Sequence, residues 1–140
     1  PSVVPLQIVR LGQLALICCP GEFTTIAGHR VVDTVKQMLA VQASIESVWL
    51  ASYCNDYMGY VTTYEEYQQQ AYEGGHTLFG QWTLAACQSK FKLLAKQLLR
   101  DKNQRSYDQT TRPKPIPEQE LAKRTNHGNL KTAVSQGEAV

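Results

Sequence analysis

The clearest hydrophobic pattern in the chain is a continuous apolar run at residues 14–19, which Pro20 and Gly21 follow. A short run of this kind that ends at a turn indicates a strand buried on both faces. Residues 6–10 come before it, and Gly12 lies between the two segments. We therefore expect the two segments to form a hairpin that turns at Gly12.

A helix and a second strand follow the turn. Thr24 or Thr25 is a suitable N-cap, and apolar residues at helical spacing predict a helix that continues to about Ala40. Residues 45–53 alternate between apolar and polar positions and predict a strand. Parallel strands joined by a helix have a right-handed crossover, so this strand–helix–strand unit places the chain in the α/β class.

Two further helices are predicted before residue 100. Thr63 is followed by Glu66 in a capping-box sequence, which predicts a short helix from Tyr64 to about Tyr72. Residues 82–99 have apolar positions at helical spacing and predict an amphipathic helix. Together with the strands, these elements predict a folded unit that spans residues 1–100.

The chain becomes polar after residue 100. Pro113, Pro115 and Pro117 alternate with other residues, which favours an extended chain, and few large apolar residues follow. We interpret residues 101–140 as a disordered linker or tail, with a short helix near residues 118–124.

Composition narrows the possible functions. The chain has 140 residues, of which 43% are hydrophobic and 19% are charged, enough apolar material for one packed core. The net charge of +2 is small and its positive charges are scattered, so we expect no nucleic-acid partner. Because no apolar run reaches about 18 residues, we expect no membrane-spanning segment. The chain begins at Pro1 without Met or a signal peptide, and we interpret it as a partial chain.

The chain contains four cysteines, Cys18, Cys19, Cys54 and Cys87. None of them forms a CxxC pair, so a zinc site made of cysteines is disfavoured. Cys18 and Cys19 end the apolar run and fit a buried strand. The sequence leaves any disulfide pairing open.

The predicted parallel strands would bring several polar side chains together at one edge of the sheet. Glu22 follows the first strand, and Asn55, Tyr57 and Tyr60 follow the second. Open α/β folds bind ligands at the edge where the strands end, so we expect these side chains to converge.

Each of these residues also has a simpler structural interpretation. Glu22 could interact with the N-terminus of the helix that follows it, and Tyr60 could be an ordinary core tyrosine. His29 and His76 are possible metal ligands, although each fits a surface or packing position as well. The chain offers too few ligands for a complete conventional zinc site.

Three segments resemble motifs of the neutral ceramidase family, in the right order and within residues 5–99. Residues 20–30 (PGEFTTIAGHR) resemble PGEFTT-x-x-G-R-R, with His29 in place of the first arginine. Residues 54–67 (CNDYMGYVTTYEEY) are similar to N-x-Y-x-x-Y-[IV]-T-T-x-E-E-Y. Residues 70–80 (QAYEGGHTLFG) resemble Q-x-Y-E-[AG]-[AGS]-[ST]-T-x-[YF]-G, with His76 where a small residue is usual.

The resemblance implies a site that is only partly contained in this chain. In this family Zn²⁺ is held by two histidines, one glutamate and one tyrosine. By motif position the glutamate is Glu22 and the tyrosine is Tyr60, while both histidines lie upstream of this chain. Tyr72 matches a tyrosine that lines the site and contacts the reacting carbonyl. Residues 1–100 would be the C-terminal portion of the catalytic domain, and residues 101–140 a linker or tail.

The implied reaction is zinc-dependent hydrolysis of the N-acyl amide bond of ceramide, which yields sphingosine and a free fatty acid. The substrate would come from a membrane surface, and the protein would be secreted or held at the cell surface. The resemblance also implies an N-terminal catalytic region and an immunoglobulin-like C-terminal domain of the same protein, and a fragment that is inactive alone. The alternative is a non-catalytic α/β remnant that acts as a binding module.

Overall fold

A hairpin begins the fold. In the computed structural model, which describes residues 3–41, 44–108, 111–112 and 115–124, β1 (Gln7–Leu11) pairs antiparallel with β2 (Leu14–Cys18). Gly12 has a φ of +60° in the turn, a conformation that glycine adopts without a steric penalty. The predicted hairpin is confirmed.

The predicted strand–helix–strand unit is also present. α1 (Thr25–Leu39) follows β2, and β4 (Ser47–Ala51) lies parallel to β2, so the sheet order is β1-β2-β4. Thr24 caps α1 by accepting a hydrogen bond from the Ala27 amide at 3.4 Å. This confirms the α/β class. β4 is shorter than predicted, and Tyr53 beyond it has a left-handed φ of 60° that does not belong to a strand.

The core lies between one face of the sheet and two helices. Ala15, Ile17 and Cys19 are fully buried on this face. α1 packs against α4 (Thr83–Leu98), and both helices contact the sheet. The helices contribute buried side chains at intervals of three or four residues, as helical packing requires: Ala27, Val31, Val35, Leu39, Leu84, Cys87, Phe91 and Ala95.

The opposite face of the sheet is apolar as well. Val9, Leu16 and Trp49 are direct neighbours across the three strands. Val9 is 40% exposed and Trp49 is 61% exposed. The two helices therefore cover one face of the sheet and leave this apolar stripe open to solvent within the described residues.

Two very short strands and two short helices complete the part of the fold near the ends of β2 and β4. β3 (Glu22–Phe23) pairs in parallel with β5 (Tyr60–Val61). α2 (Tyr64–Gln69) has the predicted capping box at Thr63, and α3 (Tyr72–Gly75) follows. The prediction of one helix to Tyr72 is wrong, because Gln70 is left-handed with a φ of 51° and ends α2.

The chain after α4 first packs back on that helix. A short 3-10 helix spans Lys102–Gln104, and Arg105 then donates a hydrogen bond of 3.0 Å to the Leu98 carbonyl. α5 (Glu118–Arg124) lies where a short helix is predicted. The rest of the predicted disordered tail, residues 109–110, 113–114 and 125–140, lies outside the described residues, and the domain boundary at residue 100 stays a prediction. None of the described helices is both long and apolar enough to cross a membrane.

Candidate active site

The pairing of β3 with β5 sets Glu22 beside Tyr60. These two residues are direct partners in the parallel register. The Glu22 amide donates to the Gly59 carbonyl at 3.0 Å, and the Thr24 amide donates to the Val61 carbonyl at 3.1 Å. β3 thus connects the turn after β2 to the N-cap of α1 and fixes the direction of the Glu22 side chain.

Two tyrosines hold the Glu22 carboxylate. The Tyr60 hydroxyl donates to Glu22 Oε1 at 2.8 Å, and the Tyr57 hydroxyl donates to Oε2 at 2.9 Å. The expected convergence is therefore confirmed for these three residues. It is wrong for Asn55, whose side-chain amide instead donates to Gln7 Oε1 at 3.0 Å, because Asn55 is left-handed and directs its side chain toward β1.

These hydrogen bonds stabilise the ionised carboxylate. Donation from the phenols of Tyr53, Tyr60 and Tyr57 lowers the pKa of Glu22 below its ordinary value. The same hydrogen bonds raise the pKa of Tyr60, because losing its proton would place a second negative charge beside Glu22. At neutral pH Glu22 is thus an anion and the phenols are neutral donors. Thr24, not Glu22, is the side-chain cap of α1, and the Glu22 carboxylate is bonded to the tyrosine phenols instead.

The sequence did not identify Tyr53 as a member of this group. Its ring stacks on that of Tyr57, with centroids 6.1 Å apart and planes 6° from parallel. Its backbone is left-handed, and Tyr53 lines the same cleft as Glu22. Nothing in the sequence around a tyrosine at the end of a predicted strand indicates a left-handed backbone. Only the folded structure therefore shows that Tyr53 belongs to this group.

Tyr72 and His76 border the site through ring contacts. The Tyr72 ring meets that of Tyr60 edge-on at 5.7 Å and lies 4.4 Å from the His76 ring. The His76 carbonyl accepts a hydrogen bond from the Tyr60 amide at 3.1 Å. Within the described residues no hydrogen bond joins His29, which is exposed on α1, to Glu22 or Tyr60.

A cleft of about 510 Å³ opens beside the Glu22–Tyr60 pair. Its lining includes Tyr53, Glu66 and Glu73 together with the pair itself. Glu66 Oε2 accepts hydrogen bonds from the Thr24 hydroxyl at 2.6 Å and the Thr63 amide at 2.8 Å. Glu66 therefore ties the N-cap of α1 to the N-cap of α2. The sequence predicts that Glu66 caps α2, but only the folded structure shows that Glu66 also contacts Thr24.

Glu22 and Tyr60 fit two positions of a metal site. Their oxygens are 2.8 Å apart, close enough for both to contact one ion at zinc–oxygen distances of about 2.0–2.2 Å. In the part of the chain that the structure describes, no three His, Cys, Asp or Glu residues come together in a way that could hold a metal ion. A metal ion bound by this pair would therefore need further ligands from outside the described residues.

The sequence of this chain matches a known protein family. Residues 1–89 match the family described as "Neutral/alkaline non-lysosomal ceramidase, N-terminal". Neutral ceramidase 3 of Arabidopsis thaliana is 46% identical over 119 residues, which are 84% of this chain and 15% of that protein. Neutral ceramidase of Pseudomonas aeruginosa is 50% identical over 91 residues, which are 65% of this chain and 13% of that protein.

The fold of this chain also matches a solved structure of a ceramidase. The structure titled "Ceramidase complexed with C2" superposes with a TM-score of 0.71 and 40% identity, covering 78% of this chain and 16% of that one. This chain belongs to the neutral/alkaline non-lysosomal ceramidase family. It spans about 15% of the length of the first relative.

Proposed function

We propose that this chain forms part of an enzyme that hydrolyses the N-acyl amide bond of ceramide to sphingosine and a free fatty acid, with Glu22 and Tyr60 as ligands of Zn²⁺. The observation that carries the proposal is the 2.8 Å contact between the Tyr60 hydroxyl and Glu22 Oε1 at the edge of the sheet. Its support comes from the family to which the chain belongs and from the motifs that contain both residues.

Each residue has a distinct part in this proposal. Glu22 supplies an anionic oxygen, which its phenol neighbours keep ionised by lowering its pKa. Tyr60 supplies the second oxygen, and a cation in the site would oppose the effect of Glu22 by favouring ionisation of the phenol. When bound, zinc supplies Lewis-acid chemistry suited to amide hydrolysis.

Tyr72 has the proposed task of donating a hydrogen bond to the reacting carbonyl. Its side chain is 66% exposed and lies edge-on to Tyr60, so its hydroxyl is accessible beside the proposed metal ligands. A donor that meets the oxygen where negative charge develops lowers the barrier of acyl transfer.

The remaining parts of the proposal concern partners and location. Two histidine ligands would come from an N-terminal catalytic region of the same protein, which also has an immunoglobulin-like C-terminal domain. The chain alone would then be inactive. The substrate would come from a membrane surface, and the protein would be secreted or held at the cell surface.

The test uses the full-length protein with Glu22→Ala and Tyr60→Phe introduced separately. We expect both variants to lose bound zinc, measured by elemental analysis after dialysis, and to lose hydrolysis of a fluorescent short-chain ceramide. Tyr72→Phe should keep its zinc and lower kcat. The localisation is tested separately by cell fractionation and surface labelling.

Matched controls are available on the same fold. Glu46→Ala removes a carboxylate at the opposite end of β4, and Tyr64→Phe removes the hydroxyl of a tyrosine that packs on Trp82. Both controls should retain zinc and activity. Normal zinc content and normal turnover in Glu22→Ala and Tyr60→Phe would overturn the assignment of these ligands.

A further inference from the structure

His76 is the C-cap of α3, and its side chain folds back on that helix. The His76 amide donates to the Tyr72 carbonyl at 3.1 Å, and His76 Nδ1 lies 2.8 Å from the same oxygen. Because a carbonyl oxygen accepts hydrogen bonds and does not donate them, Nδ1 is the ring nitrogen that carries the proton. A hydrogen bond within its own helical turn therefore holds the imidazole in one orientation.

This hydrogen bond supports a helix that is weak in its own sequence. α3 has four residues, and two of them are Gly74 and Gly75. Glycine loses more conformational freedom on folding than any other residue, so it weakens a helix. A histidine near the C-terminus stabilises a helix by donating to one of its last carbonyls. His76 thus stabilises the turn that carries Tyr72.

The same orientation places the imidazole against the Tyr72 ring. Residues four positions apart lie on one face of a helix, and the two ring centroids are 4.4 Å apart with planes 41° from parallel. The Tyr72 ring meets the Tyr60 ring edge-on at 5.7 Å, and the His76 and Tyr60 centroids are 6.5 Å apart. Tyr60, Tyr72 and His76 thus form one cluster of rings.

Tyr72 depends on these ring contacts, because burial does not fix its side chain. Tyr72 is 66% exposed, and exposed side chains change rotamer on the picosecond to nanosecond timescale. Tyr60, in contrast, is held by hydrogen bonds from its hydroxyl to Glu22 Oε1 at 2.8 Å and from its amide to the His76 carbonyl at 3.1 Å. Contact with the imidazole and with the fixed Tyr60 ring therefore restricts where the Tyr72 hydroxyl points.

We propose that His76 is a positioning residue, whose imidazole ring holds the Tyr72 phenol in the orientation that serves the reaction beside Glu22 and Tyr60. This inference rests on the proposed function, in which Tyr72 donates to the reacting carbonyl. His76 stands where the family motif has a small residue, so the motif itself assigns it no such role.

The effect of His76 is on the geometry of a hydrogen-bond donor. A donor lowers the barrier most when it is already aimed at the oxygen on which negative charge develops. Without the imidazole, Tyr72 samples several rotamers, and only some of them aim the hydroxyl at the substrate. Because this interaction strengthens in the transition state, its loss should lower kcat and leave KM nearly unchanged.

The test uses the full-length protein and begins with His76→Ser, which introduces a small residue of the kind that is usual at this position. We expect normal zinc content and a kcat that is lower by about tenfold or more with a fluorescent short-chain ceramide. His76→Phe keeps a ring and should retain most of the activity. His76→Asn keeps a donor for the Tyr72 carbonyl but has no ring, so it should behave like His76→Ser.

A double-mutant cycle shows whether His76 acts through Tyr72. Tyr72→Phe already lacks the hydroxyl, so adding His76→Ser to it should cause no further loss of kcat. A normal kcat in Tyr72→Phe would remove the donor role of Tyr72 from the proposed function, and this inference with it. A lowered kcat in Tyr72→Phe together with a normal kcat in His76→Ser would overturn this inference alone.

A spectroscopic measurement follows the Tyr72 ring without relying on activity. With 3-fluorotyrosine at position 72 of the full-length protein, the ring current of an imidazole 4.4 Å away shifts the fluorine NMR signal. His76→Ser should move this signal toward that of free 3-fluorotyrosine. His29→Ser is the matched control, since His29 is exposed on α1, and it should change neither the signal nor kcat.

Three further results would each overturn the proposal. The first is an unmoved fluorine signal in His76→Ser, which would show that the imidazole does not hold the Tyr72 ring. The second is loss of zinc or an additive loss of kcat in the double variant, because His76 would then act on the metal site or on the fold. The third is activity that His76→Asn restores and His76→Phe does not, because the hydrogen bond and not the ring would then be responsible.

Discussion

The Tyr60 hydroxyl donates a 2.8 Å hydrogen bond to Glu22 Oε1, although the two residues are 38 positions apart in the chain. The parallel register of β3 and β5 makes them direct neighbours. Tyr57 donates to the other oxygen of the same carboxylate at 2.9 Å, so both oxygens are held from the same loop. The position and charge of Glu22 therefore depend on this loop.

Removing the Tyr57 phenol should make the Glu22 carboxylate easier to protonate. Hydrogen bonds from Tyr53, Tyr60 and Tyr57 lower the pKa of Glu22. These bonds therefore stabilise the folded protein above the ordinary glutamate pKa, and this stabilisation is lost as the pH falls through the lowered pKa. We expect Tyr57→Phe to raise the pKa of Glu22 and to shift this loss to higher pH. A titration of the Glu22 carboxyl carbon by NMR measures the shift.

The control for that measurement is Tyr64→Phe, which removes a hydroxyl from a tyrosine that packs on Trp82. It should leave the Glu22 titration unchanged. Equal titration curves for Glu22 in Tyr57→Phe and the unmutated protein would show that the Tyr57 hydrogen bond has no electrostatic effect.

Gly59 should tolerate no side chain. It has a φ of +85°, and a Cβ there would lie 2.7 Å from the His76 carbonyl oxygen, which accepts the hydrogen bond of the Tyr60 amide. We expect Gly59→Ala to lower the free energy of unfolding by about 1–3 kcal/mol, because it combines a left-handed alanine with a clash against backbone. Denaturant unfolding provides the measurement.

Gly75 provides the comparison for this substitution. A Cβ at Gly75 meets nothing within 4 Å, and the residue lies in α3. Gly75→Ala should leave the stability unchanged or raise it by up to about 1 kcal/mol. If both alanine variants were equally stable, the backbone of the loop before Tyr60 would not be constrained as described.

The link between Thr24 and Glu66 should appear as coupling in a double-mutant cycle. The Thr24 hydroxyl caps α1 and donates to Glu66 Oε2, which also accepts from the amide of Thr63. Thr24→Ala should cost about 0.5–2 kcal/mol of stability. Because the two side chains are in direct contact, we expect a coupling energy of about 0.5 kcal/mol or more with Glu66→Ala.

Thr25 is the control for this cycle, since it is the first residue of α1 and its side chain is not the N-cap. Thr25→Ala combined with Glu66→Ala should be additive. Additivity for Thr24 as well would mean that the two N-caps are energetically independent.

The ion pair between α1 and α2 should control the titration of Glu65. Arg30 donates two hydrogen bonds to its carboxylate, at 2.9 Å and 3.4 Å, and these hold the pKa of Glu65 at about 2. The stabilisation of the folded protein by this ion pair is present above the ordinary glutamate pKa and is lost only as the pH falls to about 2. We expect Arg30→Gln to raise the pKa of Glu65 toward its ordinary value, as measured by NMR.

His29→Gln changes the neighbouring position of the same helix and should leave Glu65 unaffected. High salt should reproduce part of the Arg30→Gln effect, because both partners are exposed and the pair is open to screening. A Glu65 titration that is insensitive to Arg30→Gln would contradict this explanation.

The sequence by itself determined the elements whose signals are local. The apolar run at residues 14–19 predicted β2, and Thr24 with a helical apolar period predicted α1. Thr63 and Glu66 predicted the start of α2, since a capping box is formed by residues three positions apart. The order of these elements also placed Glu22 and Tyr60 at the same edge of the sheet.

Only the tertiary structure decided how those residues meet. β3 and β5 have two residues each, too few to show any hydrophobic period, and they form because their backbones pair across 38 positions of sequence. The left-handed backbone of Tyr53 and Asn55 likewise has no local signature in the sequence. The chain alone does not reveal these arrangements, because contacts between distant residues depend on the energy of the whole fold.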